Sequence, residues 1–527
     1  MSKLHILDCT LRDGGYVNNW SFGSKNIKKI IGKLVEAKID IVECGYLTQK
    51  RDFDIDSTMI TNMEYINKTL FTKSIYTKFV AMINFGEYNV DDIPIYNGYG
   101  IKGLRIAFHK NDLVNALEYC RKIKAKGYDI YIQPMVSLNY TDVEFLQLIE
   151  AANEIQPEAF YIVDSFGAMR PTDVQHLLYL TNHNLNENIK LGFHSHNNLQ
   201  LSYSHAQTLC HHFMNRDLII DASVMGMGRG AGNLNTELFA EYLNHFFSAK
   251  YYITALLEIV DTVLSSVYEK NYWGYSLPYY LSAIHNCHPN YASYLNDKHA
   301  LTFENINEIF ISMDSAKKTS FNKDYIQELY RLYQGKNNQS DNLILQKQLK
   351  DKKVMLVAPG KSIFEEYDAI ITDLTYEKKT VVAVNFIPEK IETDYVFVSN
   401  IRRWENIKNT KQVNFIITSN INIADTEAYV TDYTELLNEN ELITDNAGLM
   451  LIVLLIKCGV SEISLVGFDG YSPNHDNDYV ELEMEFKKDI SSVMRKNEAL
   501  SKMLSKYSEQ VPVRFVTQPR HIRLIKD

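Results

Sequence analysis

Through its first half the chain alternates short apolar runs with longer amphipathic stretches. The runs are "LHILD" (4–8), "IDIVECG" (39–45), "KFVAMIN" (78–84), "IKGLRIAF" (101–108), "YDIYIQPM" (128–135), "AFYIVDS" (159–165), "IKLGFH" (189–194) and "LIIDASVMG" (218–226). Each is rich in β-branched and aromatic residues, as buried parallel strands are. Between them lie segments with helical spacing, among them "SKNIKKIIGKLVEAK" and "VEFLQLIEAANEI". Eight such units by about residue 240 predict an α/β fold, a (β/α)8 barrel over 1–245. An open doubly wound sheet could alternate in the same way, but eight repeats favour closure.

Residues 246–335 read as a tyrosine-rich helical extension. The stretch around "YQGKNNQSDN" is polar and aperiodic, which predicts a linker over 336–351. Alternation then resumes with "KVMLVAPG", "TVVAVNF", "DYVFVSN", "VNFIITS", the helix "NAGLMLIVLLIKCG" and "EISLVGFDGY". Residues 352–527 are therefore expected to form a second, Rossmann-like α/β domain.

Composition narrows the class. At 527 residues the chain is too long for one ordinary core. With 46% hydrophobic and 23% charged residues it reads as a soluble globular protein. There is no apolar run of spanning length, and "MSKLHILDCTLRDGG" turns polar too early for a signal peptide, so no membrane partner is expected. Six dispersed cysteines without a CxxC pair fit a reducing cytoplasm. A net charge of −11 argues against nucleic acid as a partner. No function follows from the 35 tyrosines.

In a barrel of this kind the chemistry sits where strands end. "FHSHNN" (193–198) sends His194 and His196 to one side, because residues two apart on a strand share a face. On those six residues alone, a metal-binding pair and two surface histidines are equally good readings. The other strand ends deliver Arg12 and Asp13, Glu43, Arg105 and His109, Gln133, and Asp164 with Ser165. The eighth opens into "GMGRGAGN" (226–233). A carboxylate converging with two imidazoles suits Mn²⁺, Mg²⁺, Co²⁺ or Zn²⁺.

Taken in order, "DCTLRDGGY", "FHSHNN" and "GMGRGAGNLNTE" resemble the DRE-TIM metallolyases (HMGL-like) over about residues 3–245. That group includes 4-hydroxy-2-oxovalerate aldolase, 3-hydroxy-3-methylglutaryl-CoA lyase and the isopropylmalate and homocitrate synthases. The resemblance implies a metal, Mn²⁺ or Mg²⁺ first, held by Asp13, His194 and His196, with Asn233 as a further ligand in the lyase and synthase branches. It implies Arg12 neutralising an enolate oxygen and a (β/α)8 metal-dependent aldolase acting on a 2-oxo acid and an aldehyde. "RDGGY" and "GAGN" sit closer to the pyruvate aldolases than to the acyl-CoA condensing synthases, which remain an alternative. One departure stands out: the aldolases place a histidine base where this chain has Tyr16. A phenol is a poor base at neutral pH unless its surroundings shift it, so Tyr16 is expected to position substrate or relay a proton, and the base is expected to be His109, a metal-bound water or a tyrosine of "YWGYSLPYY".

Several further residues stay open between two readings. Glu43, Arg105, Gln133, Asp164, Ser165 and Gly228 are candidate substrate-binding positions. Glu43 and Asp164 are as readily structural. "GMGRGAGN" brings backbone amides toward an anion, or is a loose dinucleotide match. Lys110, the nearest lysine for a Schiff base, reads as a solvated charge. The segment "YWGYSLPYYLSAIHNCHPNY" (272–291) caps the barrel mouth or simply packs. In the C-terminal part "KKVMLVAPGKSI" reads as a phosphate cradle, with Gly360, Ser362, Asn385 and Asp469 as a nucleotide or phosphate site. That part resembles the sialyltransferase-like and DUF115 (motility-accessory-factor-like) domains. The resemblance implies a nucleotide or nucleotide-sugar partner in surface-glycan metabolism, and leaves glycosyl or nucleotidyl transfer as a rival function. "NHDNDY" (474–479) adds His475 and Asp476 without an assigned role. A homo-oligomer is expected.

Overall fold

The eight expected strands form where the apolar runs lie. The structure is a computed structural model describing residues 3–69, 74, 76–212, 216–298, 300–335, 340–410, 413–421, 427–472, 479 and 490–524. In chain order the strands are β1 (Leu4–Asp8), β2 (Ile41–Leu47), a two-residue β3 (Met59–Ile60), β4 (Lys78–Asn84), β5 (Gly103–Phe108), β6 (Asp129–Pro134), β7 (Ala159–Asp164), β8 (Lys190–Ser195) and β9 (Leu218–Ala222). All are parallel in the order β1-β9-β8-β7-β6-β5-β4-β2, and β1 pairs back onto β2, closing an eight-stranded barrel. The short β3 hangs from the end of β2.

Closure explains the nearly continuous apolar runs, since each strand is buried on both faces. The inside is filled by Leu7, Ile41, Val80, Tyr131, Tyr161 and Ile219. The outside is covered by helices such as Ser24–Glu36, which buries Ile27, Ile30, Ile31 and Leu34 at helical spacing. Burying each of those four side chains stabilises the fold by roughly 1.5–3 kcal/mol.

The C-terminal unit holds a second parallel sheet of β10 (Lys353–Val357), β11 (Thr380–Val384), β12 (Tyr395–Val398), β13 (Asn414–Thr418), β14 (Ala428–Thr431), β15 (Glu462–Val466) and β16 (Val513–Phe515). Their order is β14-β13-β12-β11-β10-β15-β16. The chain winds outward from β10 to β14, then returns to the other side of β10, so the winding reverses between β10 and β15. Ligands of such sheets bind at that reversal, beyond the carboxyl ends of the strands. No helix among the described residues is long and apolar enough to cross a membrane.

The segmentation expected between the two sheets is not what forms. One unit comprises residues 1–293 with 313–321, the other 294–312 with 322–527. The region 246–335 is thus divided rather than forming a separate extension. Leu256, Ile259, Leu264 and Trp273 join the barrel core. Tyr330, by contrast, donates to Asp445 at 2.6 Å and lies beside the Tyr433 hydroxyl in the C-terminal unit. Residues 336–339 of the expected linker lie outside the described residues. The rest of it contains the helix Asn342–Leu349, whose Leu345 and Leu349 enter the C-terminal core. A polar stretch with two leucines four apart still presents one apolar face.

Tyr330 is buried and its hydroxyl serves a charged acceptor. Tyr330→Phe is expected to destabilise the C-terminal unit by about 1–3 kcal/mol, the range for losing a hydrogen bond to a charged group. Urea unfolding followed by tyrosine and tryptophan fluorescence checks it, and an unshifted transition would show that Asp445 is satisfied without the phenol.

Candidate active site

Beyond the carboxyl ends of the barrel strands opens a cavity of about 350 Å³. The loop after β1 carries Arg12 and Asp13, and both are buried. Trp20 Nε1 donates to the Arg12 carbonyl at 2.8 Å and pins that loop. Asp13, His194 and His196 each offer a ligand atom, all within 4.8 Å of one another. His196 Nδ1 lies 3.7 Å from Asp13 Oδ2, and the two imidazoles meet edge to face at 5.2 Å between centroids.

Behind these three runs a chain of alternating charges. Arg12 donates through Nη1 to Asp13 Oδ1 at 2.5 Å and through Nε to Glu43 Oε2 at 2.7 Å. The other Glu43 oxygen is 2.9 Å from Arg105 Nη1. Arg105 also pairs with Asp221, whose Oδ2 is 3.0 Å from His194 Nδ1. Burial works against the charge on Asp13, yet the Arg12 guanidinium and the nearby imidazoles hold its carboxyl well below the usual carboxylate range. Burial pushes His196 down to about 3, so its ring is neutral at pH 7.

These residues fit a divalent cation. Three carboxylates and two guanidiniums leave the buried cluster at −1, and an unbalanced buried charge is costly. His196 Nδ1 and Asn233 Oδ1 are buried with no hydrogen-bond partner, so two lone-pair atoms lack a donor beside Asp13. His194 Nδ1 lies 3.0 Å from Asp221 Oδ2, on the side from which a carboxylate usually orients a metal-bound imidazole. Asn233 itself donates from Nδ2 to Asp13 Oδ2 at 2.7 Å. That bond places Asn233 beside the carboxylate and leaves Oδ1 as its only ligand atom.

The remaining predicted residues divide. Tyr16, His109, Gln133 and Ser165 line the cavity with Arg12. The Tyr16 hydroxyl lies 3.2 Å from that of Tyr46, and its ring packs edge-on against Trp20. With its amide oxygen turned toward Arg105, Gln133 accepts from Nε at 3.2 Å and Nη2 at 3.0 Å. Ser165 Oγ accepts from the Val136 amide at 2.9 Å.

Four of the residues expected to contact substrate are not part of the cavity lining. Glu43 and Arg105 are fully buried beneath the cavity floor, where each is consumed by the charge chain. Asp164 accepts from the Ala168 and Met169 amides at 2.8 and 3.2 Å and shapes the loop after β7. Burial pushes its carboxyl up to about 7 in spite of those donors. Gly228 is not in the wall either. A Cβ there would come within 2.2 Å of Asn233 Nδ2 and 2.7 Å of Asp13 Oδ2, so only glycine lets the loop pass over them. Lys110 pairs with Glu144 at 2.6 Å, as a solvated charge does.

Arg229, His288 and Tyr46 also line the cavity and were not singled out from the sequence. Arg229 sits inside the quoted "GMGRGAGN", and His288 inside the aromatic segment read as a possible cap, so a signal was present for both.

In the C-terminal unit Gly360, Asn385 and Asp469 line a crevice of about 480 Å³ at the β10/β15 reversal. The phosphate cradle expected at Gly360 and Ser362 is already filled. Asp469 accepts from the Ser362 amide at 2.9 Å and from its hydroxyl at 2.5 Å. A Cβ on Gly360 would lie 2.6 Å from the same carboxylate. An incoming phosphate would meet a fixed negative charge, and the helix there, Ser362–Glu365, is a single turn. His475 and Asp476 lie outside the described residues.

Loss of both imidazoles, His194→Ala with His196→Ala, is expected to abolish Mn²⁺ binding measured by calorimetry. Asp221→Asn should weaken it about 10–100-fold, because it releases His194 from its orienting carboxylate. Unchanged affinity in Asp221→Asn would remove Asp221 from the metal site.

Comparison with known proteins agrees with this geometry. The HMGL-like family matches residues 3–263. A 4-hydroxy-2-oxovalerate aldolase from Geobacillus genomosp. 3 is 27% identical over 243 residues, which is 46% of this chain and 70% of the relative. An oxaloacetate decarboxylase from Mycobacterium tuberculosis is 26% identical over 235 residues, covering 44% of this chain and 67% of that protein. Among solved structures, the N-terminal domain of an aldolase candidate from Bacteroides vulgatus is 30% identical with a TM-score of 0.48, covering 57% of this chain and 98% of that one. The HMG-CoA lyase of Brucella melitensis is 13% identical with a TM-score of 0.41, covering 49% and 96%. Through its barrel, residues 3–263, the chain belongs to the HMGL-like family.

Proposed function

We propose that the barrel is a divalent-metal-dependent aldolase that makes or breaks the C3–C4 bond of a 4-hydroxy-2-oxo acid through a pyruvate enolate. The observation that carries this reading is one cavity holding Asp13, His194 and His196 together with a buried Arg12 whose Nη2 has no hydrogen-bond partner. The names of the aldolase and decarboxylase relatives both describe a 2-oxo acid that loses a fragment from C3, which supports a shared enolate.

A divalent cation, Mn²⁺ or Mg²⁺ in this reading, supplies Lewis acidity toward the 2-oxo carbonyl. Arg12 is the chain's own contribution to stabilising the enolate. Its Nε and Nη1 are fixed by Glu43 and Asp13, so the free Nη2 is preorganised for developing negative charge. In cleavage the 4-hydroxyl loses its proton, the C3–C4 electron pair passes to the enolate and the aldehyde leaves. A proton then returns to C3 to give pyruvate, and condensation runs these steps backward. Tyr16 stands where the related aldolases carry histidine. Its hydroxyl contacts that of Tyr46, so it passes a proton along a phenol pair, with His109 in the same wall as the imidazole of the relay.

The crevice of the C-terminal unit favours a nucleotide or nucleotide-sugar ligand there, by its place at the sheet reversal. With it goes a second reading, glycosyl or nucleotidyl transfer in that unit, and a role in surface-glycan precursors in the cytoplasm. Because Asp469 occupies the Gly360 turn, the ammonium groups of Lys298 and Lys496 in the crevice wall are proposed to meet the phosphate. Stabilisation of the full chain by nucleoside diphosphates, lost in Lys298→Gln with Lys496→Gln, tests this site.

The aldolase reading is tested by pyruvate release or consumption across a panel of aldehydes and 4-hydroxy-2-oxo acids, with and without Mn²⁺. Metal-independent or absent turnover would overturn it. Arg12→Lys should lose roughly 100-fold or more in kcat with metal still bound, since a point charge does not replace the guanidinium fork. Tyr16→Phe should lose on the order of 10-fold, less than the 10²–10⁴ of a sole general base.

A further inference from the structure

Every arginine of the charge chain is matched by a carboxylate, but the arginine at the cavity rim is not. Arg229 Nη2 donates to the amide oxygen of Asn290 at 2.8 Å, and the guanidinium lies over the Tyr16 ring, 5.0 Å from its centroid. Both neighbours are neutral. The cavity carboxylates Glu87 and Asp112 do not pair with it, and Glu87 instead faces Lys50 at 3.4 Å. Among the described residues Arg229 has no ion pair.

The third neighbour of Arg229 is another donor. His288 Nδ1 accepts from the Asn290 amide at 3.2 Å, which puts the proton of the neutral ring on Nε2. That Nε2 lies 3.3 Å from Arg229 Nη2, itself an N–H donor. Burial, then the Arg229 charge, pushes His288 down to about 3, so the ring is neutral at pH 7. Two donors facing one another in a cavity wall lack a shared acceptor. An oxyanion bridging them would accept from both and neutralise the guanidinium, the strongest kind of hydrogen bond available to either.

We infer that Arg229 and His288 form an oxyanion subsite that takes a carboxylate or phosphate on the aldehyde partner. The inference rests on the aldolase reading and adds to it the chemical class of the second substrate. Arg12 and the metal ligands account for the 2-oxo acid end, so the rim pair is left for the other end of the bound molecule. Contact between Arg229 and Tyr16 also couples the two ends, because the guanidinium that holds the anion rests on the ring whose hydroxyl handles the proton.

The test uses the full chain loaded with Mn²⁺ and supplied with pyruvate. Succinic semialdehyde is compared with its neutral methyl ester, and glyceraldehyde 3-phosphate with glyceraldehyde. At least one anionic aldehyde should exceed its neutral match in kcat/KM by about 30-fold, mostly through KM, as a charged hydrogen bond allows. Which pair shows the preference identifies the oxyanion as carboxylate or phosphate. In Arg229→Gln the ratio should collapse to within about 3-fold of unity, while Arg229→Lys, which keeps the charge without the fork, should retain part of it. Retained Mn²⁺ binding reports that the variants are folded. A wild-type ratio near one for both pairs, or a ratio unchanged in Arg229→Gln, overturns the subsite. Metal-dependent exchange of the pyruvate C3 hydrogens in D2O, followed by NMR, separates the two readings. Exchange without an anionic preference sinks the subsite alone, and absence of exchange sinks the aldolase reading and the subsite with it.

Discussion

The barrel is organised around five alternating, buried charges. Asp13, Arg12, Glu43, Arg105 and Asp221 form one continuous chain, and His194 hangs from its end. Taking such groups out of water is expensive, and each is tolerable only because its neighbour is in place. Removing one member would strand its partner, at a typical cost of about 3–5 kcal/mol. The members come from β2, β5, β8, β9 and the loop after β1, so only a closed barrel can assemble them. Their sum of −1 also explains why the open end of the chain, at Asp13, His194 and His196, is a place for a cation.

That arrangement separates support from chemistry. Glu43, Arg105 and Asp221 do not reach the cavity, yet they fix two groups that line it, the Arg12 guanidinium and the His194 ring. Above them the cavity wall is polarised. One side gathers Asp13, His194, His196 and the free Arg12 donor, and the rim carries Arg229 over the Tyr16 ring with His288 beside it. A molecule that fills both sides has an oxygen-rich head and an anionic tail.

The C-terminal unit shows where a local sequence pattern reaches its limit. The strand–glycine–helix turn after β10 is present, and the crevice lies at the expected reversal of winding. The Ser362 amide and hydroxyl, however, are already spent on Asp469, which arrives from the end of β15, and the Gly360 amide is spent on the Gly467 carbonyl. A glycine turn advertises available donors only when no side chain from elsewhere has taken them.

What the sequence determined by itself is the order of the layers. Parallel strands buried on both faces read as continuous apolar runs, so "KFVAMIN" and "LHILD" coincide with β4 and β1 to the residue. The histidine pair of the candidate metal site was legible for the same local reason, since two histidines at strand spacing must share a face. Short elements were not: β14 and β16 have four and three residues, too few to carry a periodicity, and the helix at 342–349 was hidden in a polar stretch. Only the tertiary structure decided how the charges pair. Glu43 and Asp164 look alike as strand-end carboxylates, but one meets two guanidiniums and the other two backbone amides. Arg229 and His288, or Ser362 and Asp469, become neighbours across 59 and 107 residues of chain. Hydrophobic periodicity is local and survives in the sequence, whereas the partner of a buried polar group is set by which loops the closed sheet brings together.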